Sequence, residues 1–306
     1  GLGTENITIS GETNNSLAAS VLNTLNGNTT GNINADTVTT LTGSITDLNT
    51  AYTASAATGD GISNLGNEAI TLSDTSVTDV AALNTLNGNT TGNIDAGTNV
   101  TSFTGSISDL NTMFAAAGDS GDKIDFGGTG GAATQTVTIS DTTDVSVTDL
   151  NTLNGHTTGN IDASGVTSLA SASISDIKTL LTAGNNHTNN FTSTSFNDLA
   201  TVAVSGTSIS VADLNDSITQ ANTATTDPTT TVFSVSSGAT ITTGDEAAFT
   251  TLLSNEEAGN IAITDQNLTV SSGTISVDNA NALNDTTTGT VTASIATTET
   301  VDELAT

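Results

Sequence analysis

An internal repeat constrains this chain more than any other feature. Asn-Thr-Leu-Asn-Gly-Asn-Thr-Thr-Gly-Asn-Ile begins at Asn23, recurs at Asn84 and returns at Asn151 with His156 as its one change, at spacings of 61 and 67 residues. Self-similarity of this kind marks supersecondary units that bury a core only by stacking on their neighbours. Each long period holds smaller units that join a period-2 segment to a period-3.6 segment.

The period-2 segments predict short strands. Ile7 and Ile9, Ile70 and Leu72, and Val137 and Ile139 point one way while Thr and Ser point the other. A second set follows Thr-Thr-Gly or its relics: Ile33 and Ala35, Ile94 and Ala96, Ile161 and Ala163, Val202 and Val204, Ile261 and Ile263, Val291 and Ala293. Val38 and Leu41, Val100 and Phe103, and Val166 and Leu169 are expected to cover the corners that follow.

The period-3.6 segments predict amphipathic helices of about two turns. Their apolar faces are Ile45, Leu48, Ala51 and Tyr52; Ile107, Leu110, Met113 and Phe114; and Ile174, Ile177, Leu180 and Leu181. Ser-x-x-Asp supplies a capping signature at Ser44, Ser76, Ser106, Ser146, Ser173, Ser195 and Ser210, each with Asp three residues on. Asn-Gly at Asn26, Asn87 and Asn154 predicts a left-handed helix stop.

Helices and strands this short are marginal alone, so each unit must take part of its core from the next. The expected fold is therefore an α/β solenoid. Short parallel strands stack in one sheet and alternate with short capped helices, at about 24 to 43 residues per coil. Residues 1–223 carry the regular array and 224–306 divergent coils of the same kind, with Pro228 in a Thr-rich loop between coils. Gly1–Ile7 matches Asn64–Ile70, and Thr300–Thr306 reads as a capped helix start, so neither end has the polar cap a solenoid normally carries. The expectation is a piece of a longer array, or ends buried by copies stacked head to tail.

The segments 71–79, 83–96 and 104–112, and the closing 293–306, resemble repeat arrays in very large surface proteins of marine unicellular cyanobacteria, of adhesin or motility type. The likeness is close over residues 1 to about 180 and looser over 230–306. It implies an extracellular or cell-surface location and a role in adhesion, matrix or motility, often beside calcium-binding repeats.

Charge narrows the partners. Lys123 and Lys178 are the only Lys or Arg side chains against 32 carboxylates, for a formal net charge of −30. Nucleic acid and anionic membrane surfaces are thereby excluded, because both are held by Lys and Arg. Such a surface suits salt-rich surroundings, where screening relieves self-repulsion. There is no Cys for a disulfide or thiolate site. No apolar run is long enough to span a bilayer.

Seven of the repeated aspartates stand three residues after a Ser, where capping explains them, and Asp95 and Asp162, replaced by Asn34 in the equivalent unit, read as solvent-facing strand residues. The exception is Asp119, Asp122 and Asp125 in the glycine-rich insert 118–131, the candidate ligands for calcium, which seeks several converging oxygens. His156 stands where other repeats have Asn28 and Asn89, and His187 lies in an Asn-rich turn, so neither has a catalytic partner in sequence. No nucleophile elbow, phosphate loop or His-Glu helix pair occurs, and the chain reads as a non-enzyme. Thr-x-Thr at Thr134, Thr136 and Thr138 raises a minor ice-binding alternative, and dense Ser and Thr could carry O-glycans. The expectation is a self-associating module of a surface filament, sheath or stalk. The alternative is a calcium-dependent adhesin module with a glycan or surface partner.

Overall fold

The computed structural model describes residues 1–10, 15–56, 61–117, 123–127, 133–186, 190–192, 194–222 and 230–296. Asp119, Asp122, His187, Pro228, the 223/224 boundary and the helix start expected at 300–306 lie outside the described residues. The chain forms two compact units, Gly1–Ser140 with Thr152–Ile161, and Asp141–Asn151 with Asp162–Thr306. Both are α/β, with short parallel strands alternating with helices.

The first unit opens with β1 (Ile7–Thr8), β2 (Ser16–Ala18), α1 (Ala19–Asn28), β3 (Ile33–Asn34), β4 (Thr40–Gly43) and α2 (Ile45–Ala56). It continues with β5 (Ile62–Ser63), β6 (Ala69–Leu72), β7 (Ser76–Val77), α3 (Val80–Asn89), β8 (Ile94–Asp95), β9 (Ser102–Gly105) and α4 (Ile107–Ala115). Then come β10 (Ile124–Asp125), β11 (Thr136–Ile139), the second half of α5 (Val147–His156), and β12 (Ile161–Asp162), whose first residue closes the unit. The second unit takes the first half of α5, then β13 (Ser168–Ser173), α6 (Ile174–Asn186), β14 (Thr201–Ser205), β15 (Ser208–Ser210) and α7 (Val211–Ala221). It ends with β16 (Val232–Val235), β17 (Thr240–Gly244), α8 (Glu246–Glu257), β18 (Ile261–Ala262), β19 (Asn267–Val270), α9 (Val277–Thr286) and β20 (Val291–Thr292).

The expectation of one continuous sheet is corrected: the strands form several parallel sheets. In the first unit these are β1-β3-β5, then β2-β4-β6-β8-β10, then a third that begins at β7 and runs through β9 and β11. The physical reason lies between α2 and α3, where β5, β6 and β7 follow one another along a single coil and each joins a different sheet. β5 ends the first sheet, β6 sits mid-way in the second and β7 starts the third. The second unit repeats the arrangement with β13-β14-β16-β18 and β15-β17-β19-β20.

Strand pairing also corrects the reading of Leu41, Phe103 and Leu169 as corner cover, since all three are buried strand residues of β4, β9 and β13. They share registers with other strands, as in Leu41 with Ile70 and Phe103 with Val137. The widest expected coil, from Ile94 to Val137, is divided by β10, whose Ile124 pairs with Ile94.

The helical periodicity is reproduced side chain by side chain. All twelve apolar residues of the three predicted faces are buried, and Leu48, Leu110 and Ile177 are fully so. A buried side chain of this size contributes about 1.5–3 kcal/mol. All seven Phe residues are buried, with Phe103, Phe114 and Phe126 in edge-on and tilted contact.

Capping follows the expected pattern at Ser44, Ser106, Ser146, Ser173 and Ser210, whose hydroxyls accept from the backbone N–H three residues on at 3.1–3.3 Å. In three of them the Ser hydroxyl also donates to the Asp carboxylate. Two assignments change. Ser76 lies in β7 and Asp79 itself caps α3, accepting from Ala82 N at 3.0 Å. Ser195 stands in a turn, and its hydroxyl accepts from Ala163 N at 3.1 Å. The Asn-Gly pairs form no left-handed stop: α1 and α3 run through Gly27 and Gly88 and end at Thr29 and Thr90, both extended.

Candidate functional site

Three contacts recur between successive repeats, and together they form the most elaborated polar structure among the described residues. The first is built on Thr-Thr-Gly, directly after a helix. The hydroxyls of Thr29, Thr90 and Thr287 donate to the carbonyl oxygens of Glu5, Glu68 and Gln266 at 2.7–3.0 Å, and Thr157 does the same to Ala133 at 3.1 Å. The same hydroxyls accept from the N–H of Gly31, Gly92, Gly159 and Gly289 at 2.9–3.0 Å. The glycine is required by proximity. A Cβ on Gly31, Gly92, Gly159 or Gly289 would stand 2.3, 2.1, 1.9 or 2.4 Å from the carbonyl oxygen of Glu5, Glu68, Gln135 or Gln266. The buried Thr satisfies backbone groups that tight packing removes from water.

The second contact is a ladder along the helices, carried by the Asn of Leu-Asn-Thr. Asn23, Asn49 and Asn84 donate from their amides to the carbonyls of Asp47, Ala82 and Asp109 in the first turn of the following helix, at 2.9–3.0 Å. In the second unit Asn151 and Asn215 do likewise to Asp176 and Ala248. Lys178 takes the Asn position in α6 and instead reaches the carboxylates of Asp213 and Asp216 at 2.6 and 2.8 Å. The next residue, Thr, turns its hydroxyl back to the carbonyl four residues earlier, as at Thr24, Thr85, Thr112 and Thr179.

The third contact was not anticipated from sequence. Glu68, Gln135 and Gln266 are buried just ahead of β6, β11 and β19. Gln135 Oε1 accepts from Thr134 N, and its Nε2 donates to the carbonyls of Phe126 and Ala96 at 3.0 and 3.5 Å. Gln266 Oε1 accepts from Thr264 N, and its Nε2 donates to Val235 and Ser236. Glu68 Oε2 accepts from Gly66 N at 2.8 Å and from the Tyr52 hydroxyl at 3.0 Å. Burial pushes the Tyr52 phenol well above its ordinary value. The signal was present in sequence as Glu/Gln-x-Ile/Val/Leu-Thr at Glu5, Glu68, Gln135 and Gln266.

Of the calcium candidates, Asp125 lies exposed in β10, in register with Asp95 of β8. Each aspartate makes a turn after its strand: Asp125 accepts from Gly127 N at 2.8 Å, and Asp95 from Gly97 N and Thr98 N. Asp162 accepts from Ser164 N, and Asn34 from Asp36 N, in the same way. Asp119 and Asp122 are not among the described residues, and among those that are, no three His, Cys, Asp or Glu stand together to hold a metal ion. His156 stacks on Phe114 with ring centroids 6.5 Å apart. Two depressions on the helix layer are lined by Ser20, Val21, Thr24, Leu25 and Asn28, and by Thr46, Asn49, Thr50, Thr53, Ala54 and Ala82. None of these lining residues is ionisable. Among the described residues no helix is long and apolar enough to cross a membrane.

Three carboxylates of the second unit are held below their ordinary range. The Lys178 ammonium lowers Asp213; the Ser276 backbone N–H, then Asn279 and the Ser276 hydroxyl, lower Glu246; the Ser237 hydroxyl lowers Asp265. A carboxylate lowered in the folded state stabilises the fold above its unfolded value of about 4, and that contribution is lost as pH falls through the folded value. Thermal unfolding followed from pH 7 downwards is therefore expected to fall off below about pH 4. The pair Glu246→Gln and Asp265→Asn should flatten that fall, and an unchanged slope in the double variant would contradict the assignment.

The chain matches no protein-family model, no curated protein and no solved structure, so its coil-to-coil contacts stand as the features from which a function is to be argued.

Proposed function

We propose that this chain is a structural repeat module of an extracellular or cell-surface filament, sheath or stalk, built as an α/β solenoid, and not an enzyme. The observation that carries the reading is the Thr-Thr-Gly contact, found after four helices with the same donor and the same glycine constraint, the hydroxyl reaching the carbonyl of Glu5, Glu68 or Gln266 in three of them and of Ala133 in the fourth. Chemistry on a substrate needs side chains held free to act; here the recurrent polar side chains are spent on neighbouring coils. The outer helix residues Thr24, Thr85, Thr112 and Thr179 likewise direct their hydroxyls to their own backbone.

A charge of −30 with two lysines supports surroundings rich in salt or divalent cations, and a location outside the cell. The likeness to cyanobacterial surface arrays supports the same location. Self-association, head to tail or along lateral faces, is the mode of action that fits a module whose contacts serve stacking. The outward rank of the second sheet runs Ala18, Thr42, Thr71 and then Asp95, while Thr136 and Thr138 of β11 stand beside Ser102 and Thr104, so ice binding is kept as a minor alternative.

Electron microscopy and sedimentation of the purified chain, with and without millimolar calcium, test the proposal. Ordered fibres, sheets or tubes are expected. Dispersed particles that bind glycans would replace it with the adhesin reading, and turnover of a substrate would overturn it.

A further inference from the structure

Glu68 occupies the place of an amide. In the two sibling positions the side-chain oxygen of Gln135 and Gln266 accepts the N–H of the residue one or two before it, and the side-chain nitrogen donates to carbonyls at the ends of β8, β10 and β16. Glu68 Oε2 makes the first of these contacts with Gly66 N. Its Oε1 therefore corresponds to the amide nitrogen, yet it is an acceptor. It is buried and has no hydrogen-bond partner among the described residues, in a side chain that is 1% exposed. By register Ala35 holds the place of Ala96, and its carbonyl accepts from Val38 N at 2.9 Å. Ile33 pairs with Ile62 as Ile94 pairs with Ile124, and Ala35 follows Ile33 as Ala96, one of the Gln135 acceptors, follows Ile94.

A buried carboxylate oxygen that receives neither a hydrogen bond nor a counter-charge costs several kcal/mol. No cationic side chain is at hand: Lys178 is committed to Asp213 and Asp216, and Lys123 is exposed ahead of β10. We propose that a monovalent metal cation, of which sodium is the model, binds between Glu68 Oε1 and the carbonyl oxygen of Ala35, doing for this coil what the amide nitrogen does for its siblings. One carboxylate balances a single positive charge, whereas a calcium ion is commonly held by several carboxylates. The sequence carries the same logic: where the position is Gln no ion is needed, and where it is Glu one is.

Thermal unfolding in sodium chloride and in tetramethylammonium chloride at equal ionic strength tests this directly, because the large organic cation screens charge but cannot enter. The wild-type chain is expected to melt about 3 °C or more higher in sodium, the shift a site filled to roughly ten times its Kd would give. Glu68→Gln should melt at the same temperature in both salts. A wild-type chain indifferent to the choice of cation overturns the proposal, as does a sodium shift of equal size in Glu68→Gln. A gain in Glu68→Gln alone, without sodium sensitivity in the wild type, would name a proton or a water as the occupant and also overturn it. If the variant does not fold, the wild-type comparison decides.

Discussion

Gly92→Ala is expected to destabilise the first unit by about 3 kcal/mol, the upper range for forcing an atom into a packed site. The added Cβ would stand 2.1 Å from the Glu68 carbonyl oxygen and 2.9 Å from Ala69 N, which are backbone atoms of the adjoining β6 segment and cannot swing aside as a side chain would. It would also separate Gly92 N from the Thr90 hydroxyl, leaving a donor unsatisfied beside a buried oxygen. Gly88, four residues earlier in the same motif, is the internal control. It lies within α3 with nothing within 4 Å of its would-be Cβ, so Gly88→Ala should stabilise by roughly 0.8–1 kcal/mol through helix propensity alone. Opposite signs for two Gly→Ala changes in one repeat would separate the clamp from the helix. Urea unfolding reads both, and Tyr52, the single Tyr in a chain without Trp, is a buried fluorescent reporter of the first unit. Equal effects of the two changes would remove the clamp as a determinant of stability.

Phe103→Ala should cost about 3–5 kcal/mol. Phe103 is fully buried in β9 and meets Phe114 and Phe126 edge-on, with centroids 6.3 and 5.6 Å apart, so truncation leaves a cavity bordered by two rings. A chain with 3% aromatic residues has few other rings with which to fill it. The Tyr52 transition should move to lower urea with its slope unchanged. A loss below about 1 kcal/mol would mean that the neighbouring coils collapse around the gap.

Much of this architecture could be read from sequence because each contact involved lies within one coil. Ile45, Leu48, Ala51 and Tyr52 declare a helix face by their own spacing, and Ser44 declares its cap through Asp47 three residues on. What was missed depends on residues far apart in the chain. Leu41 and Phe103 are strand residues only because Ile70 and Val137 run beside them, and each is the one buried residue of its strand, so no alternation marks it. The Asn-Gly pair resembles a helix stop, but in α3 the stop is Thr90, fixed by the Glu68 carbonyl 22 residues earlier in sequence. Asn23 is unremarkable until Asp47 brings its carbonyl alongside. Asp125, a candidate ligand by composition, accepts from Gly127 N and stands in register with Asp95, a placement that composition alone does not give.

The hand-over of strands between α2 and α3 has a mechanical consequence. Among the described residues β5 ends one sheet in the segment where β7 begins another, and the second sheet, from β2 to β10, overlaps both. The arrangement is that of yarn spun from short fibres, in which strength comes from overlap and a break in one fibre does not travel along the thread. Under force such a unit should yield in steps, with each sheet's end arresting the tear begun in its neighbour.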